Sequence, residues 1–356
     1  MNVLLVKTWR LNIGNEVIEN GARALIQKAL PESSIYEFGA YQYHVGYSRF
    51  RYSISYVLRS KLGLENHTPE EWHATFKNPV ELLDGKFIDV AILPGCILDR
   101  YSLPRLYPIL TQLKKKKIPI ILLGVGGNDY SPYTVKYVKT LLSKIKPLAV
   151  VTRDEVAYNE YSDIEGVKYA VNEIDCGFFI SDWYQPPPSS NKFVLLIFDK
   201  MVSKARELSD SFPEDLEVIH LTHRPFNYVY YTIHADTFAR PFIEFSRKIL
   251  ARRGLLGSDL SIFKRRPIFM SDTIKDYLFL LSNALEIHSD RVHAVVAASS
   301  YGTDSYFYFN TPRALLFENA GVYFADNKAI VDYSLLSKKK KSMVRVLQDI
   351  VSDLGY

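Results

Sequence analysis

The chain has little cysteine. Cys96 and Cys176 are its two, far apart and without metal-like spacing in 356 residues, which argues against a disulfide framework and for a reducing cytosol. It also has no apolar run near the ~20 residues of a membrane span, and the apolar stretch in residues 1–7 is too short for a signal peptide and reads as a strand. Charge of one sign is scarce as well: 44 Lys and Arg against 39 Asp and Glu leave a net +5, where a nucleic-acid-binding domain would be far more basic. The expectation is a cytoplasmic protein with an acidic small substrate, or with peripheral contact to an anionic membrane face, and with no nucleic-acid partner. Phosphate-loop fingerprints are missing: Gly124-Val125-Gly126-Gly127 has neither the GxGxxG spacing nor its downstream acid, and there is no Walker A sequence. His220-Leu221-Thr222-His223 has no third ligand for zinc, so no metal site is expected. Beyond two lysine runs, at 114–117 and 338–341, there is no low-complexity tract, and there is no internal repeat.

What is present is the composition of a globular protein, 47% apolar and 23% charged, in a chain too long for one ordinary core. The 25 tyrosines could line a sugar site or simply pack. Apolar runs and 3.6-period stretches alternate throughout. Strands are expected at 3–6, 87–93, 118–124 and 148–151. The intervening helices carry apolar faces such as Ile18, Ala22, Leu25, Ile26 and Ala29. Such alternation argues for α/β architecture with parallel sheets and helices on both faces. Residues 41–76, rich in Tyr and Arg and poorly periodic, read as a helical excursion beside the site. The Pro/Ser-rich segment 183–191 reads as a linker. It separates an N-terminal domain, 1–182, from a second set of elements at 192–333, with strands expected at 193–198, 217–221, 268–270, 286–288 and 314–317 and a helix at 272–285. An amphipathic helix, 334–356, closes the chain, and its 338–341 lysines face solvent or anionic headgroups.

The most informative stretch is Ser289-Asp290-Arg291-Val292-His293, which opens an Ala/Val-rich helix. A helix N-terminus carries partial positive charge, so Arg and His there are disfavoured and anions are welcome. Ser289 and Asp290 are ordinary capping residues; Arg291 and His293 are explained by an anion held at the helix start. Residues two apart on a helix point about 200° apart, so the two share a pocket only if Arg291 lies in the non-helical cap. Thr152-Arg153-Asp154-Glu155 repeats the anomaly after an earlier strand: Thr152 and Glu155 have capping-box spacing, and Arg153 is again a cation on a first turn. Asn12-Ile13-Gly14-Asn15 offers backbone amides and Asn side chains at the first helix, with Asn15 as an alternative plain cap. Gly126 and Asn128 mark an exit loop that approaches a ligand closely, and His223 lies where a strand ends.

Asn12-Ile13-Gly14-Asn15, Thr152-Arg153-Asp154-Glu155 and Ser289-Asp290-Arg291-Val292-His293-Ala294, in this order, resemble the polysaccharide pyruvyl transferase family, with the likeness running from about residue 10 to 325. The resemblance implies a GT-B-like architecture of two Rossmann-like domains facing across a cleft. It implies transfer of the pyruvyl group of phosphoenolpyruvate onto two hydroxyls of a sugar, glycan or lipid-linked, as a cyclic ketal with release of phosphate. Phosphoenolpyruvate is then donor substrate and no cofactor is expected. Arg153, Arg291 and His293 would form its site. Two arginines suit a carboxylate and a phosphate, and His293 suits general acid–base work. The chain departs from the family pattern at Tyr301–Phe309, which intervenes before Asn310-Thr311-Pro312, and at Pro94-Gly95-Cys96. A nucleotide-sugar glycosyltransferase and a non-catalytic glycan-assembly protein are the alternative readings.

Overall fold

The computed structural model describes residues 1–8, 12–39, 79–223, 268–269, 271 and 273–355. The expected excursion at 41–76 falls outside them. The chain divides into two compact units, one of Met1–Trp9, Leu30–Glu173 and Gln348–Tyr356, the other of Arg10–Ala29 and Ile174–Leu347. The Pro/Ser segment 183–191, read above as a linker, thus lies within the second unit, as does the first long helix, Ile13–Ala29.

The first unit is built on six parallel strands: β1 (Asn2–Lys7), β2 (Ser34–Gly39), β3 (Val90–Cys96), β4 (Ile120–Gly126), β5 (Ala149–Thr152) and β6 (Tyr169–Asn172), in the order β2-β1-β3-β4-β5-β6. The inner strands are buried and apolar on both faces, the unbroken pattern of a parallel sheet. Leu4, Val6, Ala91, Leu93, Leu122 and Val150 join Leu106, Leu110, Val138 and Leu142 from helices Leu103–Lys115 and Pro132–Ile145 in one core. β4 runs on to Gly126, through a bulge at which Gly124 has φ +61°, so the glycines expected to form its exit loop largely belong to the strand. The lysines at 114–117 do suit a helix end, where Lys116 Nζ donates to the carbonyls of Glu81 and Leu83.

The second unit holds β7 (Phe193–Ile197), β8 (Glu217–Leu221), β9 (Ile268–Phe269), β10 (Glu286–Ser289), β11 (Asp304–Phe307), β12 (Val322–Ala325) and β13 (Lys328–Val331), in the order β12-β13-β11-β10-β7-β8-β9. Five strands are parallel; β12 and β13 form an antiparallel hairpin at one edge, so this sheet is mixed rather than wholly parallel. The departure at Tyr301–Phe309 supplies β11. The strand expected at 314–317 is instead a 3₁₀ turn, Pro312–Leu315, and a short helix, Leu316–Asn319, begun by Pro312 in the first turn, where its missing N–H costs nothing. β7 continues to β8 on one side while β10 lies on the other, so the strand order reverses between β7 and β10. Helix Ile13–Ala29 packs here against the turn Cys176–Phe179 so closely that a Cβ on Gly21 would stand 2.0 Å from the Cys176 carbonyl oxygen. The helix Val292–Tyr301 is buried almost all round, which is why its residues are Ala, Val and Ser rather than amphipathic.

Among the described residues no helix is long and apolar enough to cross a membrane. Within the closing helix, Tyr333–Ser352, Lys340 is not a free lysine: its ammonium pairs with Asp182, which Lys28 also reaches at 2.8 Å.

Candidate functional site

In open α/β sheets, ligands bind beyond the carboxyl ends of the strands where the strand order reverses. In the second unit that place is the gap between β7 and β10, and the Ser289–His293 stretch leaves β10 there. Arg291 is the N-cap of helix Val292–Tyr301, with extended backbone (φ −114°, ψ 118°), and His293 is in the first turn. The division of labour required by helix geometry is therefore the one observed.

The capping chemistry differs from expectation. Asp290 does not cap its own helix: its carboxylate accepts from the backbone N–H groups of Asp199 (3.2 Å), Lys200 (2.6 Å) and Met201 (2.8 Å) in the loop after β7. Ser289 Oγ donates to the Ile197 carbonyl and accepts from Arg291 N–H. The two loops at the reversal are thus sewn together. Arg291 forms an ion pair with Asp199, whose other oxygen accepts from Thr222 Oγ1 at 3.2 Å. Lys200 joins this group, with its ammonium 3.8 Å from the Phe309 ring centroid. Burial first, then the charges of Arg291 and Arg313, hold Lys200 below the ordinary lysine value, while Asp290 and Asp199 oppose them. Three cations against two carboxylates, one of them occupied by backbone N–H groups, leave a place suited to an anion.

The second set of groups converges on Gly14. Asn12 caps helix Ile13–Ala29, its Oδ1 accepting from Gly14 N–H at 3.0 Å, and its carbonyl accepts from Asn15 N–H. Asn15 is therefore in the first turn and is not the cap. Ile13 N–H donates to the His223 carbonyl, so the three leading amides expected to face a ligand are engaged within the protein. A Cβ on Gly14 would stand 2.6 Å from His223 Nε2 and 3.1 Å from His293 Nδ1. Both imidazoles are nearly buried, at 4% and 6% exposure. Their far nitrogens face fixed groups: His223 Nδ1 is 2.8 Å from the Tyr277 hydroxyl, and His293 Nε2 is 3.6 Å from Asp175 Oδ2. Asp175 is fully buried and its Oδ1 accepts from Gly177 N–H. Burial drives the Tyr277 hydroxyl well above its ordinary value, so it keeps its proton.

Arg153, Gly126 and Asn128 lie in the first unit. Asp154, not Thr152, caps helix Glu155–Tyr161, accepting from Ala157 N–H, and Arg153 precedes that cap rather than occupying the first turn. Thr152 Oγ1 donates to Asn172 Oδ1, and Asn172 donates to Glu155, so the expected capping box is a bridge to β6. The Arg153 side chain is fully buried and its Nε would lie 2.6 Å from a Cβ on Gly126. Tyr130 accepts from Gly127 N–H and donates to Asp154. Asn128 is half-buried in the turn that follows β4.

Sequence reasoning missed Asp175, Asp199, Lys200, Tyr277 and Arg313. Asp199-Lys200 follows a strand and was findable by the rule that picked out Arg291. Tyr277 on a helix and Asp175 before a glycine turn carry no such signal. Among the described residues, no three or more His, Cys, Asp or Glu side chains are placed to hold a metal.

A sequence model of polysaccharide pyruvyl transferases matches residues 12–308. No curated protein sequence matches the chain. Solved structures similar to it include S. aureus MnaA with UDP (TM-score 0.52, 12% identity, covering 98% of this chain and 90% of that one). Others are UDP-GlcNAc 2-epimerase from Neisseria meningitidis bound to UDP-GlcNAc (0.51, 12%, 97% and 94%) and UDP-N-acetylglucosamine 2-epimerase from Rickettsia bellii (0.52, 12%, 100% and 97%). At such identity the likeness is one of fold, two Rossmann-like domains of the GT-B kind.

Proposed function

Because this chain belongs to the polysaccharide pyruvyl transferase family, we propose that it transfers the pyruvyl group of phosphoenolpyruvate to a sugar of a surface polysaccharide or its lipid-linked precursor. The observation that carries the proposal is the cation group at the β7/β10 reversal, Arg291 with Lys200 and Arg313, on the stretch that also carries His293 two residues beyond Arg291.

The chemistry asked of it is defined. Two sugar hydroxyls form bonds to C2 of the donor, the C2–O bond to phosphate breaks, one hydroxyl proton ends on the methylene carbon and the other leaves with phosphate. In this reading His293 takes a hydroxyl proton and returns it to carbon, and Arg291 with Lys200 neutralises charge on the departing phosphate. Arg153 enters by the family pattern as a further cation for the donor. No step as written calls for a cofactor. A lipid-linked acceptor would bring the protein to the inner face of a membrane, where the exposed Lys338 and Lys341 suit anionic headgroups.

The test is phosphate release from phosphoenolpyruvate with candidate glycans, comparing wild type with His293→Ala. Loss of about 10²-fold or more in the variant is expected; equal turnover removes His293 from the chemistry. Thermal shifts with phosphoenolpyruvate and with UDP separate this reading from a nucleotide-sugar glycosyltransferase, which would respond to UDP alone. A non-catalytic glycan-assembly protein would bind sugar and turn over neither donor.

A further inference from the structure

We propose that the edge of the first unit where its strands begin is a docking surface for an anionic phospholipid membrane, with Leu82 and Phe87 entering the bilayer interface and the lysines before β4 and β5 meeting headgroup phosphates. The proposal goes beyond the pyruvyl-transfer reading: it states where the protein meets the membrane that would carry a lipid-linked acceptor, and its test needs no turnover.

The six strands of this sheet are parallel, so all of them start on one edge. That edge is opposite the one where Gly126 and Arg153 follow β4 and β5. The turns into β4 and β5, residues 114–119 and 144–148, hold six lysines and no acidic residue. Lysine suits a helix C-terminus, which accounts for Lys114, Lys115 and Lys144. It does not account for Lys117 and Lys146. Each is exposed just past a helix end, with backbone in the left-handed region at φ 59° and 56°. Glycine or asparagine ordinarily fills that position, because other side chains are strained there. Two neighbouring helices thus end on the same strained cation, which packing of the fold does not require.

The lysine turns are joined to each other and to an apolar tip. Lys114 Nζ donates to the Lys144 carbonyl. The stem of Lys146 lies over Gly166, where a Cβ would stand 2.9 Å from its Cδ. Here a hollow of about 290 Å³ is lined by Lys114, Lys117, Lys146, Pro119, Leu148 and Leu354, a cationic rim on an apolar floor. On the other side, Lys116 Nζ donates to the carbonyls of Glu81 and Leu83, and a Cβ on Gly85 would stand 3.1 Å from Lys116 Cβ. The segment leading into β3 is thereby fastened to the lysines. It carries Leu82 at 80% exposure and Phe87 at 44%, with the Tyr36 ring 5.1 Å from that of Phe87. Among acids of the turn into β6 and the chain end, Asp163 pairs with Lys139 and Asp353 with Lys168, while Glu165 is exposed beside Gly166. The middle of the edge stays positive.

Lysines alone suit any polyanion. A leucine and a phenylalanine fixed in solvent beside them suit a partner that is anionic outside and apolar just beneath, which is a bilayer interface. A free phosphate or an acidic glycan offers nothing to Leu82.

The test is flotation of the full-length protein with vesicles of phosphatidylcholine alone and of phosphatidylcholine mixed with phosphatidylglycerol. Binding to the mixed vesicles only is expected, and it should weaken with added salt. Lys117→Asn with Lys146→Asn removes two charges and supplies a residue that accepts the left-handed backbone. Its melting temperature should hold or rise, while partition to mixed vesicles falls about 25-fold, about fivefold for each charge. Leu82→Ser, at a site open to solvent, should weaken partition at least about threefold. Wild type that ignores mixed vesicles, or binds both kinds equally, overturns the proposal. So does wild-type partition in the edge variants when Lys338→Gln with Lys341→Gln releases the protein, which places the contact on the closing helix. Binding of soluble polyphosphate that the edge variants lose, with vesicles ignored, overturns it in favour of a polyanionic chain. Each of these outcomes holds whether or not phosphoenolpyruvate is the donor.

Discussion

The Asp290 carboxylate accepts the backbone N–H of Lys200 at 2.6 Å, with the neighbouring Met201 N–H at 2.8 Å on the same oxygen. This relationship joins the exit of β10 to the exit of β7 across the place where the strand order reverses. It explains why an aspartate precedes Arg291 without capping its helix: the carboxylate is buried and fixes the loop from which Asp199 pairs with Arg291 and Lys200 reaches Phe309. The cation group is therefore held by backbone, not only by ion pairs among flexible side chains.

Replacing Asp290 with Ala should consequently damage stability and donor binding together. Three N–H groups lose a charged acceptor, a cost of about 3 kcal/mol even if water reaches some of them. Equilibrium denaturation should register that loss, and calorimetry should show weakened phosphoenolpyruvate binding. Normal donor affinity in a destabilised Asp290→Ala protein would mean that the loop does not organise the anion site.

Gly14→Ala sets two effects against each other. In an ordinary helix interior Ala is favoured over Gly by about 1 kcal/mol. Here the new Cβ would stand 2.6 Å from His223 Nε2 and 3.1 Å from His293 Nδ1, distances that force the rings apart. The expected outcome is a melting temperature altered by only a few degrees with turnover down about a hundredfold, as misplacing reacting groups by an ångström does. Turnover close to wild type would show that the two rings need not converge.

Part of the local geometry was legible before any coordinates, and the reasons are particular. Helix geometry lets Arg291 and His293 share a pocket only with Arg291 in the cap, and Arg291 is the N-cap with His293 on the helix. The α/β class followed from periodicity that the buried strands Phe193–Ile197 and Ile120–Gly126 reinforce with unbroken apolar runs. What escaped was set by long-range contact. Thr152 has capping-box spacing, yet Asn172 from the next strand captures its hydroxyl. Residues 314–317 have the apolar look of a strand, yet Thr311 caps a turn that Pro312 starts. Tyr277 matters only because it lies beside His223, 54 residues away in sequence, a proximity no local pattern announces.

Arg291→Lys should be far from conservative. A lysine keeps the charge but loses the planar fork that can hold Asp199 and a ligand oxygen at once. A drop of about 10–100-fold in kcat/KM for phosphoenolpyruvate is expected, the equivalent of one or two charge-assisted hydrogen bonds. Lys200→Met should raise KM for the donor while leaving acceptor KM unchanged. Steady-state kinetics with each substrate varied in turn would decide it, and an effect of Lys200→Met on the acceptor alone would contradict the assignment of that side chain to the donor.

His288 supplies a stability prediction separate from catalysis. The ring is stacked on Tyr306 at 4.5 Å, approached edge-on by Phe212, and hydrogen-bonded to Tyr308 and Glu286. Burial lowers its pKa below the ordinary 6.5, against the opposing pull of Glu286 and with a smaller lowering from Lys204. The unfolded chain therefore takes up a proton near pH 6.5 that the native ring resists, and the unfolded state binds more protons in that window. Stability is retained above about pH 6.5 and declines as the pH falls from there through the folded-state value. His288→Gln removes the titrating group, so its melting temperature should fall less than that of wild type between about pH 7.5 and 5.5, even if it starts lower. Parallel curves for the two proteins over that range would show that His288 is not the group that makes the fold acid-sensitive.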